Sequence, residues 1–458
     1  MTEKLENKAR TLSPMRHLPM LLMLIMARNL CAGPIVCGYY PSWGRQSFPA
    51  EKIAFENLTH LMHAFAWPDG DGDLKVDADF LYPKLVEETH RAGRKILISL
   101  GGASSSDGFS PMAADAGTRH AFVVNLTLFC VQNDYDGADV DWEIPENTKD
   151  RNNLNLLIQE LRTEFNRVNR PLLITMAVPA GSWAGQWIDY ETLKETVDWF
   201  GCMTYDFFGS WMPRSGHNSP LYPPAQNDNG SVQSSLAYLH TTRKVPKDQI
   251  LIGIPFYGRG CDATGYNKPN TGGNTEYRYS EVVPLIGNGW DFFWDDKAKV
   301  PYLLNGTRTK FITYDDTASV RLKCEFAMQN STAGVMIWAL GQDGTGTDQP
   351  LLETVGKTMQ VEAGMSEQEK SRSFEIVRNY PNPFNSRTRI SFYLHRSEAV
   401  SLEVFDLKGK PLSRLSERDM PAGWNSLEFD GSLLPSGTYI YRLGAPGFIR
   451  SGKMALIR

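Results

Sequence analysis

The chain has 458 residues, of which 41% are hydrophobic and 22% are charged. This length and composition indicate one large globular domain with a smaller unit, and they exclude a disordered or collagen-like chain. The formal net charge of −5 offers no basic excess to meet phosphates, which argues against a nucleic-acid partner. The cysteines are scattered, without a CxxC pair or zinc spacing, so we expect buried free thiols and no metal centre.

The N-terminus has the order of a secretory signal, which is a basic region, an apolar run and then small residues. The apolar run covers residues 18–27, and Cys31-Ala32-Gly33 follows it. A run of about ten residues is too short to cross a bilayer as a helix, and no later stretch reaches about 18 apolar residues. The sequence therefore predicts a signal peptide and extension over residues 1–33 and no membrane span in the mature chain. An amphipathic first helix is the alternative.

Short apolar runs bounded by turn residues recur eight times through the middle of the chain, with helical patterns between most of them. The runs are residues 34–39, 58–66, 95–100, 137–143, 172–178, 199–205, 250–256 and 334–340. Strands that alternate with helices in this number predict an α/β fold, a (β/α)8 TIM barrel over residues 34–358. An open doubly wound sheet is the runner-up, but it would carry a Gly-rich phosphate loop after its first strand, which residues 38–41 do not form.

Three further segments complete the predicted organisation. Residues from about 260 to 311, rich in Gly, Tyr and Trp, separate the seventh run from the eighth, and we interpret them as a small inserted α+β subdomain. Residues 359–373 are polar and charged, which is typical of a linker. Residues 374–458 then alternate with period two, which predicts a small all-β sandwich domain.

The sharpest local feature is a ladder of acids in the fourth run. Asp139, Asp141 and Glu143 alternate with Val140 and Trp142. Because side chains alternate across a strand, the three acids share one face, which we expect to be the barrel interior. Crowded buried carboxyls cannot all ionise, so one of them keeps a proton near neutral pH. Glu143 comes last, at the strand end where barrel active sites form, so we expect it to be a general acid.

The ladder, DGADVDWE at residues 136–143, resembles the DxxDxDxE signature of glycoside hydrolase family 18, the chitinase family. Six other stretches occur in the order of that family. They are GYYPSW (38–43), SLGG (99–102), MTYDFFGSW (203–211), GHNSPLY (216–222), YGR (257–259) and GVMIWALGQD (334–343). The resemblance runs from about Ile35 to Gly346, roughly two-thirds of the chain.

This resemblance implies hydrolysis of the β-1,4 linkages of chitin by a retaining mechanism, in which the 2-acetamido oxygen of the substrate is the nucleophile. Glu143 would protonate the glycosidic oxygen and then act as the base for water. Asp141 would orient the acetamido group, and Asp139 behind it would share its proton. Tyr205 would hydrogen-bond the acetamido carbonyl oxygen, and Asp206 would support the same sugar. The mechanism needs no cofactor and no metal.

The resemblance also implies a cleft that binds chitin or N-acetylglucosamine oligosaccharides. Trp338 matches the tryptophan beneath the distorted sugar, and Arg259 matches an arginine near the reducing-side sugars. The other matched positions are Tyr39, Trp43, Phe65, Gly102, Met203 and Trp211. Barrel packing is the alternative role for the aromatic members. Two positions depart from the family, because Ile144 replaces the tyrosine of WEYP and Ala103 replaces the tryptophan of GGW, a distal stacking position.

The C-terminal unit resembles a type IX secretion C-terminal sorting domain of Gram-negative bacteria. The stretches NYPNPFN (379–385), VFDLKGK (404–410) and GTYIYRL (437–443) carry this likeness. It implies contact with the secretion machinery and a destination outside the cell or on its surface. A carbohydrate-binding sandwich is the alternative, although Trp424 is the one tryptophan in this part of the sequence.

Three functions remain open at this point. They are a secreted chitinase, an endo-β-N-acetylglucosaminidase acting on N-glycans or peptidoglycan, and a non-catalytic chitin-binding lectin. Lectin relatives typically lack the acid, whereas all three acids of the ladder are present in this chain. We expect the protein to be a monomer.

Overall fold

The computed structural model describes residues 33–226, 228–344, 348–361, 374–394, 397–407, 409–421, 423–445 and 448–457. The predicted signal peptide, apart from residue 33, and most of the predicted linker lie outside these ranges. In the ranges described, none of the helices combines the length and the apolar character that crossing a membrane requires.

Eight parallel strands form a closed barrel within the described part of the chain, as the alternating pattern predicts. They are β1 (Ile35–Pro41), β2 (His60–Pro68), β3 (Lys95–Gly101), β4 (Gly137–Asp141), β5 (Leu173–Pro179), β6 (Trp199–Met203), β7 (Ile250–Pro255) and β8 (Gly334–Trp338). Each strand pairs with the next along the chain, and β8 pairs with β1. The closed order excludes the open doubly wound sheet.

Helices cover the outside of the barrel and fill most of the connections between strands. They are Pro83–Arg91, Phe109–Ala114, Ala116–Gln132, Thr148–Phe165, Ser182–Gly185, Tyr190–Leu193, Val232–Ala237, Thr317–Gln329 and Pro350–Met359. Local capping fixes several starts; the side chain of Asp316, for example, accepts a hydrogen bond from the backbone N–H of Ser319 at 2.8 Å. These helices confirm the prediction that helical segments lie between most of the strands.

The two faces of each barrel strand join different cores. On β1, Val36 and Tyr40 pack with the helical layer, whereas Cys37 and Tyr39 belong to a second apolar cluster inside the barrel. This alternation is the period-two geometry of a strand. The described cysteines are buried and free, which confirms the expectation for all except Cys31, which lies outside the described residues.

The insertion, predicted as a small α+β subdomain, is a sheet with a short helix, and the C-terminal part forms two sheets. The insertion is an antiparallel five-stranded sheet of Tyr257–Cys261, Thr275–Arg278, Trp290–Asp295, Val300–Asn305 and Phe311–Thr313, with the short helix Tyr279–Val282. The C-terminal part pairs Phe374–Tyr380, Arg387–Leu394 and Gly423–Asp430 in one sheet. A second sheet contains Glu398–Phe405, Pro411–Met420, Gly437–Ala445 and Phe448–Leu456. These two sheets share one apolar core.

A buried ion pair ties the helix Thr317–Gln329 to the loop after β6. The ammonium group of Lys323 lies 2.7 Å from both carboxylate oxygens of Asp315 and donates to the Ser219 hydroxyl at 2.7 Å. The Ser219 hydroxyl donates in turn to the Thr204 carbonyl oxygen at 2.6 Å, one residue past the end of β6. Lys323 and Asp315 are fully buried, so each charge depends on the other for its solvation.

We predict that Lys323→Ala lowers the free energy of unfolding by about 3–5 kcal/mol, because it leaves the Asp315 carboxylate buried without a counter-charge. Urea unfolding followed by tryptophan fluorescence measures the change. Lys357→Ala is the matched control, since its partner Glu353 is solvent-exposed and exposed pairs contribute little. Equal losses in the two variants would contradict the account.

Candidate active site

The three acids of the ladder lie at the carboxyl end of β4, facing the inside of the barrel. Strand β4 ends at Asp141, so Glu143, the last acid of the ladder, lies two residues beyond the strand rather than within it. Asp139 and Asp141 are buried, and Glu143 is partly exposed. On the opposite face, the Trp142 ring stacks on Phe109 at 5.2 Å within the helical layer. The alternation predicted from the sequence is therefore confirmed, with burial decreasing from Asp139 towards Glu143.

Asp139 is held by hydroxyl groups from three different strands. Its carboxylate accepts hydrogen bonds from Tyr39 on β1 at 2.8 Å, from Ser99 on β3 at 2.8 Å and from Thr175 on β5 at 2.6 Å. Burial raises the pKa of Asp139, and the three hydrogen bonds oppose that rise. Tyr39 was predicted to line the cleft, and its hydroxyl is hydrogen-bonded to the first acid of the ladder.

Asp141 is buried with one oxygen that has no protein partner. Its Oδ1 atom makes no hydrogen bond to any of the residues that the structure describes. Burial, followed by the charges of Glu143 and Asp139, raises the pKa of Asp141 well above its usual range. A buried carboxyl in this state is costly unless a hydrogen-bonding group meets it, which makes it suited to contact a polar ligand.

Glu143 has the pKa of a group that can give and take a proton near neutrality. Burial, and then the charge of Asp206, raise its pKa to about 7. The backbone N–H of Glu143 donates to the Ser106 hydroxyl at 2.9 Å, and that hydroxyl lies 3.0 Å from the Gly102 carbonyl oxygen. Ser106 therefore fixes the loop that carries the acid. No pattern in the sequence predicts this role of Ser106, because the role depends on the fold of its loop.

Asp206, three residues past the end of β6, is held by side chains of the first strand of the insertion. Its Oδ1 atom accepts hydrogen bonds from the Tyr257 hydroxyl and from Arg259 Nε, both at 2.6 Å. Its backbone lies in the left-handed region with φ of 61°, and its N–H donates to the side chain of buried Asn218 at 3.1 Å. Asn218 is a second positioning residue that the sequence analysis missed, although it falls within the GHNSPLY stretch.

Aromatic side chains form a continuous surface beside the acids. The Trp338 ring lies 5.6 Å from both Tyr39 and Phe65, and it stacks on Phe65. Phe65 in turn lies 6.3 Å from exposed Trp43. Gly102 has φ of +76°, and a Cβ atom there would lie 2.6 Å from the Phe65 ring, so this ring position requires glycine.

The remaining predicted residues complete the opposite wall. The Tyr205 ring meets Tyr257 edge-on at 6.0 Å, and the Arg259 guanidinium lies 5.2 Å from the Trp211 ring. Met203 packs with the inner cluster below. All the site residues expected from the sequence thus lie at the carboxyl ends of barrel strands, in the loops that follow, or on the first strand of the insertion. Among the residues described, no group of three or more His, Cys, Asp and Glu side chains is arranged to hold a metal ion.

Comparison with known proteins identifies the family of the barrel. Residues 35–343 match the family model of glycosyl hydrolases family 18, so the chain belongs to this family. Residues 378–453 match the model of a secretion system C-terminal sorting domain. The resemblances inferred from the sequence are confirmed for both parts.

Individual relatives agree with this assignment. The chain is 32% identical to chitinase A1 of Niallia circulans over 403 residues, which cover 69% of this chain and 58% of that protein. The crystal structure of Ostrinia furnacalis group IV chitinase in complex with allosamidin is 27% identical, with a TM-score of 0.65, and covers 72% of this chain and 100% of that one. Human YKL-39, described as a pseudo-chitinase with retained chitooligosaccharide binding, is 25% identical with a TM-score of 0.66, over 71% of this chain and 100% of that one.

We predict that Asp206→Asn lowers the pKa of Glu143 from about 7 towards its ordinary value, because it removes a negative charge that disfavours ionisation. Burial still acts on Glu143, so its pKa should stay above the ordinary value. Carbon-13 NMR of carboxyl-labelled protein measures the titration, with the signal assigned by its loss in Glu143→Gln. Glu276→Gln is the control, since it removes an acid that pairs with Arg259 at 3.8 Å. An unmoved midpoint in Asp206→Asn would contradict this electrostatic account.

Proposed function

We propose that the protein is a secreted chitinase that hydrolyses β-1,4 linkages between N-acetylglucosamine units, with Glu143 as general acid and base. The observation that carries the proposal is the pairing of Glu143, whose pKa is raised to about 7, with buried Asp141, whose Oδ1 atom has no protein partner among the described residues. An acid with that pKa is matched to proton transfer near neutral pH. The family of the barrel supports the same reaction class.

In the first step, protonated Glu143 donates its proton to the glycosidic oxygen as the bond from that oxygen to the anomeric carbon breaks. The 2-acetamido carbonyl oxygen of the same sugar forms a new bond to the anomeric carbon and gives an oxazolinium ion. In the second step, water attacks the anomeric carbon, the oxazolinium ring opens, and the water proton passes to the Glu143 carboxylate. The enzyme therefore ends in its starting protonation state, and no protein nucleophile is needed.

Asp141 and Tyr205 are proposed to hold the acetamido group from two sides. The unpartnered Oδ1 of Asp141 can accept the acetamido N–H, and a carboxylate there stabilises the positive charge that develops in the ring. Burial, and then the charges of Asp141, Asp206 and Glu143, raise the pKa of Tyr205 well above its usual range, so its hydroxyl stays a hydrogen-bond donor. It would donate to the acetamido carbonyl oxygen. Asp139 is proposed to share the proton of Asp141 from behind.

The surrounding side chains are proposed to bind the sugar chain. Trp338 presents a ring supported by Phe65 and Tyr39, and the apolar face of a pyranose stacks well on an indole. Asp206 is held by Tyr257 and Arg259, and it would support the sugar at the reaction centre. Trp43, Trp211, Gly102 and Met203 would shape the cleft around it.

The C-terminal domain is proposed to direct export and to take no part in the reaction. It has an apolar core of its own, and every residue proposed for catalysis precedes residue 344. Its match to a secretion sorting domain supports a destination outside the cell or on the surface of a Gram-negative bacterium, reached through type IX machinery. The proposed units are residues 34–358 for catalysis and 374–458 for sorting.

An endo-β-N-acetylglucosaminidase acting on N-glycans or peptidoglycan is the alternative enzyme, because the acetamido mechanism serves any N-acetylglucosamine linkage. A lectin is the alternative without catalysis, as the pseudo-chitinase relative illustrates. The raised pKa of Glu143 favours an enzyme, since a binding protein has no need of a proton donor. Assays of wild-type protein on chitin oligosaccharides, an N-glycopeptide and peptidoglycan separate the three.

We predict that Glu143→Gln lowers kcat on chitin oligosaccharides by about 10²–10⁴-fold or more, because general acid catalysis is lost. The amide keeps the size of the side chain, so oligosaccharide binding should remain close to that of the wild type by isothermal titration calorimetry. Glu146→Gln, an exposed position in the same loop, is the control and should keep full activity. Turnover close to wild type in Glu143→Gln would refute the assignment.

A further inference from the structure

Three tryptophans stand out as exposed among the residues that the structure describes. They are Trp43 with 64% of its surface exposed, Trp211 with 58% and Trp183 with 82%. Each follows the carboxyl end of a barrel strand, namely β1, β6 and β5. The long outer helices Ala116–Gln132 and Thr148–Phe165 expose apolar residues such as Leu128 and Leu156, and neither helix contains a tryptophan. Among the described side chains, the exposed indoles thus all lie at the barrel mouth, where an apolar ring left in water indicates a binding surface.

Trp183 lies across the barrel from Trp43. In a closed barrel of eight strands, β1 and β5 are four strands apart and therefore on opposite sides. From Trp43, the aromatic surface continues through Phe65 to Trp338 on β8. On the other side, β5 stands between β4, which leads into Glu143, and β6, which leads into Asp206. A sugar chain that crosses the mouth over Trp338 and past Glu143 therefore leaves the catalytic centre on the side of Trp183.

The backbone around Trp183 is anchored, although its ring is exposed. The helix Ser182–Gly185 buries Ala184 and Gly185 directly after Trp183. A Cβ atom at Gly185 would lie 2.7 Å from the Tyr238 hydroxyl, so the helix packs closely on that side. The Gln186 side chain also donates to the Trp183 carbonyl oxygen at 2.8 Å. The indole is thus presented from a fixed support, which lowers the entropy lost when a ligand stacks on it.

We propose that Trp183 is a sugar-stacking site outside the catalytic centre, which takes the apolar face of a β-linked N-acetylhexosamine unit in a chain that crosses the barrel mouth. This inference rests on the proposed function. The loop that follows β3, residues 102–108, has Ala103 and contains no aromatic residue that could stack on a sugar. Trp183 therefore extends the binding surface on one side of Glu143, and only oligosaccharides long enough to pass the catalytic centre reach it.

The test compares a short and a long ligand in protein that binds without turnover. Chitotriose and chitohexaose are titrated by calorimetry into Glu143→Gln, with Trp183→Ala, Trp183→Phe or Leu156→Ala added. Leu156 is the control because it is an exposed apolar residue on the helix Thr148–Phe165, on the outside of the barrel. Thermal unfolding of each variant confirms that the fold is unchanged.

Trp183→Ala should weaken chitohexaose binding by about threefold to tenfold, the range of a single aromatic stacking contact, and change chitotriose binding by less than about twofold. Trp183→Phe, which keeps a ring, should restore most of the affinity, and Leu156→Ala should change neither ligand. An equal loss for both ligands, or no loss for chitohexaose, overturns the inference alone. If Glu143→Gln by itself binds neither ligand, the proposed function falls and the inference falls with it.

Discussion

Three carboxyl groups, two on one face of β4 and a third two residues past its end, are the constraint on which the rest of the structure depends. Strand alternation directs Asp139, Asp141 and Glu143 to the same side, so they approach one another inside a barrel that also holds a buried apolar cluster. Charges in such a setting are stable only where hydrogen bonds or protons compensate for lost water. Burial raises the pKa of all three acids. Hydroxyls from β1, β3 and β5 oppose that rise at Asp139, whereas the charges of Glu143 and Asp139 add to it at Asp141. The different roles proposed for the three acids follow from the decrease in burial from Asp139 to Glu143.

Buried polar contacts outside the ladder hold the two sides of the site in place. Ser106 bonds the backbone of Glu143 and so fixes the loop after β4. On the other side, Asn218 bonds the backbone of Asp206, and the buried Lys323–Asp315 pair reaches the end of β6 through Ser219. The distance between Glu143 and Asp206 therefore depends on contacts that hold the backbone of the two loops, which is how a barrel positions residues from separate strands.

The sequence predicts the barrel and the ladder because both depend on periodicity, which packing enforces strand by strand. The eight apolar runs agree with the observed strands to within a few residues, and the face of each acid follows from alternation. The end of β4 at Asp141 was not predicted, since it depends on where the neighbouring strands stop pairing. Ser106, Asn218 and Trp183 were missed for a related reason. Their roles rest on loop hydrogen bonds and on exposure, which only the folded chain defines.

The central claim is that the substrate's acetamido oxygen, not a protein carboxylate, attacks the anomeric carbon. Proton NMR of the first sugars released from an N-acetylglucosamine oligomer tests it most directly, because two inversions at that carbon give net retention. The account predicts that the β-anomer appears first and that no cleavage follows a glucosamine unit, which lacks the acetamido group. An α-anomer appearing first, or equal cleavage after glucosamine, would contradict it.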